Sequence, residues 1–165
     1  MNKVIMLIFI FLFLLFQFSA NAKNMPDFRN TNWDMSKQKV KSIEKLKIYS
    51  DEPEKLFYSG KFLEFPVNLV YVFKNNKLSN GIYVFDQSYS SFEPYIKDYM
   101  KAKKGLIKLL GKPLSDSTVW NDDFYKNKPE KLVSAFTLGN VSFFTEWLTK
   151  TTRILLVLSN ENNNI

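Results

Sequence analysis

The chain has 165 residues with 16 Phe, 8 Tyr and 3 Trp, and sets 23 Lys plus Arg against 16 Asp plus Glu for a net charge of +7. That much aromatic bulk supports a packed core and argues against intrinsic disorder. His and Cys are both absent, which excludes Ser-His-Asp and Cys-His catalysis, imidazole or thiolate zinc sites, redox pairs and disulfides.

Lys3 supplies a short positive start, Val4 to Phe16 is uninterrupted apolar sequence, and Ser19-Ala20-Asn21-Ala22 offers the small side chains that a signal peptidase accepts. Residues 1–22 are therefore expected to be a signal peptide, and 23–165 a single exported domain, periplasmic or secreted after cleavage following Ala22. A membrane-spanning helix takes about 20 apolar residues. The apolar run instead meets Gln17 and then Asn21, Lys23 and Asn24, so an uncleaved N-terminal anchor is the alternative. With no Cys after the leader, lipid modification there is chemically excluded. Losing Lys3 with the leader reduces +7 to +6. The excess charge gathers in Lys37-Lys39-Lys41-Lys45-Lys47 and in Lys97-Lys101-Lys103-Lys104-Lys108-Lys112. A solvated helical face explains both stretches, and attraction to an anionic envelope surface or acidic partner is the functional counterpart. Nucleic acid is not an expected partner of an exported protein.

Residues 23–33 form an irregular lead-in containing Pro26. Ser36 then stands as an N-cap, with Met35 and Val40 spaced for a hydrophobic staple, which predicts a short helix over 36–45. A strand is expected over 46–50, broken by Asp51-Glu52-Pro53-Glu54. Lys55–Lys61, Val67–Phe73 and Leu78–Phe85 carry β-branched and aromatic residues between turn signals and predict an antiparallel meander, its last turn at Lys74-Asn75-Asn76-Lys77. Period two puts Val67, Leu69, Tyr71 and Phe73 on one face, and Val70 and Val72 make the other apolar too, as in a central strand shielded by its neighbours.

Ser91 to Pro94 opens the clearest helix, whose predicted stripe is Ile96, Tyr99, Met100, Leu106, Ile107 and Leu110, ended by Gly111 and Pro113. Beyond it, 117–120, 132–138, 141–149 and 153–159 read as four more strands, with Gly139-Asn140 as a hairpin turn. The expected fold is α+β: a tandem repeat of helix plus antiparallel meander, with pseudo-repeats over about 33–90 and 91–165 and two main helices packed on one face of the sheet. The sequence stops at 160–165 where this repeat would take another strand, so truncation at the C-terminus is expected.

Several of these residues carry a resemblance: Phe28, the run from Trp33-Asp34-Met35-Ser36 to Ile43-Glu44, the Val70-Tyr71-Val72-Phe73 strand, Leu110-Gly111-Lys112-Pro113, and Trp147 through Thr149, Thr152, Arg153 and Ile154. They resemble an uncharacterised family of exported bacterial proteins and lipoproteins with a Trp-Gly-Met-Ser helix start, in which Asp34 takes the place of the Gly. The helix, Leu-Gly-x-Pro and meander unit also looks like the repeat of beta-lactamase inhibitor protein and of small outer-membrane assembly lipoproteins. The likeness covers most of residues 23–165, implies a fold and an envelope location, and transfers no catalytic residues.

Chemical candidates are few. Asp122-Asp123 beside Trp120 and Phe124 reads as a turn, because neighbouring strand residues point oppositely and no calcium-loop spacing is present. Asp51-Glu52-Pro53-Glu54 reads as an exposed loop. Ser36-Lys37-Gln38-Lys39 echoes a Ser-x-x-Lys pair, but lacks its supporting motifs and is explained by capping. No catalytic, cofactor-binding or metal-ligating residue is assigned. Trp120, Phe124, Tyr125, Phe143 and Trp147 are instead expected to form an interaction surface on the open face of the sheet, where one member of Phe143-Phe144 must point. The function expected is a non-enzymatic, monomeric binding module for an envelope protein or an anionic surface ligand. The alternatives are a hydrolase using carboxylates or a Ser-Lys pair, and an N-terminally anchored structural protein.

Overall fold

The computed structural model describes residues 3–12 and 26–161. The first helix, α1 (Lys37–Ile43), begins as its sequence dictates: Ser36 is extended, and its hydroxyl accepts from the Lys39 amide at 3.3 Å. Val40 is fully buried, and Met35 packs on the same core from outside the cap. Asp34 has φ 66°, the left-handed region that a residue without Cβ occupies at least cost. Among the described residues its only ion pair is an exposed contact with Lys77 at 3.7 Å. Asp34→Gly is accordingly expected to leave the fold intact and to raise stability by about 0.5 kcal/mol, whereas Asp34→Val lowers it by about 1–2 kcal/mol. Urea midpoints of the two variants check this, and a destabilised glycine variant would count against it.

Four strands follow as a meander: β2 (Lys47–Glu52), β3 (Lys55–Phe62), β4 (Phe65–Lys74) and β5 (Lys77–Phe85). The acidic stretch does not break β2 as expected. Asp51 pairs opposite Leu56 and is gripped by Lys37 at 2.5 Å and Lys41 at 2.6 Å, so it ties the outer strand to α1, and the turn falls on Pro53 and Glu54. Asn75 and Asn76, at φ 52° and 59°, form the left-handed two-residue turn their side chains favour. In β4, Val67, Leu69, Tyr71 and Phe73 are buried beneath the helices. Val70 is buried on the opposite face, where its register partners Phe57 and Ile82 flank it.

The long helix α2 (Glu93–Leu110) buries Ile96, Tyr99, Ala102 and Leu106, while Met100, Ile107 and Leu110 of the expected stripe are exposed. The buried face thus runs through the small Ala102, which is fully buried, instead of through the bulkier side chains one row round. Tyr99 hydroxyl donates to Thr145 Oγ1 at 2.6 Å, and Thr145 donates in turn to Asp116 at 2.9 Å. At the end of α2, Gly111 sits at φ 83° with its amide on the Ile107 carbonyl.

The expected strand over 132–138 is a helix, α3 (Leu132–Thr137), preceded by a 3-10 turn at Pro129–Lys131. Ala135 and Phe136 are buried and Leu132 packs beside them, an i, i+3, i+4 spacing that Val133 masked. Gly139-Asn140 closes this helix instead of turning a hairpin: the Gly139 amide donates to the Phe136 carbonyl and the Asn140 amide to that of Ala135. The second half thus has three strands, not four: β6 (Ser115–Trp120), β7 (Val141–Leu148) and β8 (Thr152–Glu161).

All pairings are antiparallel, in the order β2-β3-β4-β5-β1-β8-β7-β6, with β1 being Lys3–Leu12. The architecture is α+β, and residues of α1, α2 and α3 share one core with one face of the sheet. In each half the meander starts at an outer edge after its helix and winds inward, with four strands in the first half and three in the second. The central place belongs to β1, from the apolar run of the expected leader, which pairs along all ten of its residues with β8 and through Leu7 to Phe11 with β5. The expected cleavage site after Ala22 and the residues from Asn162 onward lie outside the described residues. Among the described residues no helix is long and apolar enough to cross a membrane.

Candidate functional site

The pleat of β7 decides which aromatic residues can meet a partner. Val141, Phe143, Thr145 and Trp147 alternate onto the buried face, and Ser142, Phe144, Glu146 and Leu148 onto the other. Phe143 is 4% exposed and packs against Tyr99 and Phe136. Trp147 is 2% exposed, and its indole N–H donates to the Gly111 carbonyl at 3.0 Å. Both were expected on the interaction surface, and both instead form the floor beneath the helices. The parity argument was available in the sequence, but not which parity faced the helices. The aromatic residue of this strand that lies on the helix-free face is Phe144.

Trp120, opposite Val141, and Tyr125 are half-buried against the rim of the core. Phe124 is the member of the expected surface that stands out, 54% exposed and edge-on to Tyr125. Lys128 and Lys131 hold their ammonium groups 3.7 and 4.4 Å from its ring centroid. The preceding Asp122-Asp123 forms the turn that sets this display: Asp122 accepts from the Phe124 amide at 2.8 Å and opens the 3-10 turn Asp123–Tyr125. Among the described residues, the five predicted side chains therefore split between a buried floor and an exposed corner.

The helix-free face of the sheet carries a broader apolar band. On the first half lie Tyr49, Phe57, Val70, Ile82 and Val84, with Tyr49 53% exposed and its ring tilted against that of Phe57 at 5.9 Å between centroids. On the second half lie Leu155, Val157, Phe144 and Val119, where Phe144 is flanked by Val157 on β8 and Ser117 on β6. Partial burial and, secondarily, Asp86 raise the pKa of the Tyr49 hydroxyl, which stays a neutral donor. Lys47, Lys55 and Lys61 project by register on the same face of β2 and β3, are exposed, and make no ion pair among the described residues. At the other end, Arg153 engages Glu146 through two bonds of 2.6 and 3.1 Å. This face can bind an extended apolar surface with anionic groups at the β2–β3 edge. Its register-matched stripe, unlike the predicted five residues, could be read only after the pairings were known.

Among the described residues there is one buried charge cluster, and it is a lock. Glu44, whose side chain is 4% exposed, accepts five hydrogen bonds: from Arg29 Nε at 2.8 Å and Nη2 at 3.3 Å, from Tyr71 hydroxyl at 2.7 Å, and from the amides of Lys45 and Leu46. Burial alone would raise its pKa, but the bonds from Tyr71, Arg29 and the Leu46 amide outweigh that and hold it low. Both oxygens are saturated by the protein's own donors, so the carboxylate joins the lead-in, the end of α1 and β4. Sequence reasoning missed this cluster because Arg29 and Glu44 gave no local signal.

Comparison of the chain with protein-family models, with curated proteins and with solved structures found no match.

Proposed function

We propose that this protein is a non-enzymatic binding module, exported to the bacterial envelope, which holds an envelope protein against the helix-free face of its sheet. The observation that carries this reading is the apolar band Tyr49, Phe57, Ile82, Leu155 and Phe144 on that face, bordered by Lys47, Lys55 and Lys61. Apolar surface bounded by polar groups is the ordinary mark of a docking surface. The leader of residues 1–22, with Ser19-Ala20-Asn21-Ala22 at its end, supports export. The resemblance around Trp33-Asp34-Met35-Ser36 supports the envelope as destination. Phe124 with its two lysines forms a separate basic aromatic corner suited to an anionic group.

A photo-crosslinking residue at Tyr49 or at Phe144, introduced in exporting cells, is expected to capture the same envelope protein. The same probe at Leu109, exposed on α2, is expected to capture none. Phe144→Lys abolishes capture from Tyr49 while costing about 1 kcal/mol of stability, the usual size for a point substitution. Equal adducts from Leu109, or none from either sheet position, would refute the reading.

A further inference from the structure

We propose that the place of β1 is a strand-acceptor slot: once the leader is removed, the facing edges of β5 and β8 take up an extended apolar segment of a partner polypeptide, antiparallel to both. This rests on the reading of residues 1–22 as a cleaved leader.

The argument starts from what β1 does for the sheet. Among the described residues no other strand pairing joins the two halves of the sheet, because β5 and β8 are not paired to each other. Removing β1 leaves two long rows of backbone donors and acceptors facing each other across the width of one strand, and such unpaired edges recruit strands. The gap does not close by simple collapse. β1 is antiparallel to both neighbours, so β5 and β8 run in the same direction, and joining them would create a parallel pair in a sheet whose pairings are all antiparallel.

Topology gives the same answer. The first half winds inward through four strands and the second through three, and β1 stands where a fourth strand of the second half would lie. The slot's chemistry follows from the strand it holds. Val4-Ile5-Met6-Leu7-Ile8-Phe9-Ile10-Phe11 is uncharged and rich in β-branched and aromatic residues, as strands enclosed by a sheet are. Occupancy is read mainly from β8, which pairs along Lys3 to Leu12, and less from β5, which pairs only from Leu7 to Phe11. The partner segment is therefore an extended, uncharged stretch of about eight to ten residues.

The test uses the full chain with a protease site placed across Ser19 to Ala22, nicked after purification. The probe is a labelled peptide of sequence 3–12 with added terminal lysines. The nicked protein is expected to keep its near-UV circular dichroism, to exchange its own N-terminal fragment for the probe, and to show hydrogen-exchange protection in β5 and β8 that falls and returns with occupancy. A probe N-methylated at alternate residues keeps its apolar side chains but loses ladder bonds. It is expected to bind weaker by on the order of a thousandfold, since about five ladder bonds are lost and each net hydrogen bond is worth on the order of a factor of five.

Equal binding of the methylated probe, no uptake, loss of the near-UV signal when the fragment leaves, or pairing of the nicked chain with a second copy would each overturn the proposal. Cross-linking from Tyr49 and Phe144 does not involve the slot, so failure of the envelope-binding reading is recorded separately from failure here.

Discussion

Trp147→Ala is expected to lower the unfolding free energy by about 3–5 kcal/mol, the usual cost of emptying a buried tryptophan site. For a domain of this size, whose whole stability is about 5–15 kcal/mol, that is a large share. Trp147 is 2% exposed and holds the carbonyl of Gly111, the residue that ends α2. Removing the indole therefore opens a cavity and orphans an acceptor at the helix terminus. Trp147→Phe separates the two effects, because it keeps most of the bulk and loses only the N–H. It is expected to cost about 1–3 kcal/mol. Phe144→Ala, on the opposite face, is expected to cost about 1 kcal/mol. Chemical denaturation of the three variants checks the order, and a Trp147→Ala cost no larger than that of Phe144→Ala would show the assignment of faces to be wrong.

Glu44→Gln is expected to cost about 3–5 kcal/mol at neutral pH, because it leaves the Arg29 guanidinium without its counter-charge in a cluster built around that carboxylate. The pH dependence has a definite sign. The folded-state pKa of Glu44 is held below its ordinary value of 4.5. Its contribution is therefore fully present above that value and is lost as pH falls through the lower, folded one. The wild-type chain should weaken over that acid range, and the Gln variant should show a flatter acid limb. On the alkaline side, burial pushes Tyr99 from 10.0 up to about 12 and raises Tyr71 and Tyr83 as well. Their contribution is present below the ordinary tyrosine value and is lost as pH rises above it. Unfolding midpoints from pH 3 to 11 measure both limbs, and an unchanged acid limb in Glu44→Gln would remove Glu44 from the account.

What the sequence revealed follows the range of each signal. The cap at Ser36, the meander of β3, β4 and β5, the Asn75-Asn76 turn and the end of α2 at Gly111 are local effects of side chain on backbone, and all four were legible. The helix at Leu132–Thr137 was misread because six residues with a Val among them fit either period, and the packing of Ala135 and Phe136 settled the choice. The stripe of α2 was misplaced because the small side chain of Ala102 hid its place on the buried face. The interaction surface was half legible. Strand parity separated Phe143 from Phe144, but the face that met the helices was fixed by contacts distant in sequence. Gly81 was invisible for the same reason: a Cβ there would lie 2.2 Å from the ring of Phe28, more than fifty positions earlier.

The lead-in around Phe28 and Trp33 carries one more consequence. Trp33 donates its indole N–H to Thr152 at 3.1 Å, Thr151 reaches Asp27 at 2.5 Å, and Phe28 packs on Tyr71 and Tyr83. The beginning of the body is thus buttoned to the hairpin of β7 and β8, across 119 and 124 positions. A topology with such distant closures folds late and slowly. During synthesis these contacts cannot close until β8 has emerged, so the lead-in waits, unpacked, for the second half of the sheet.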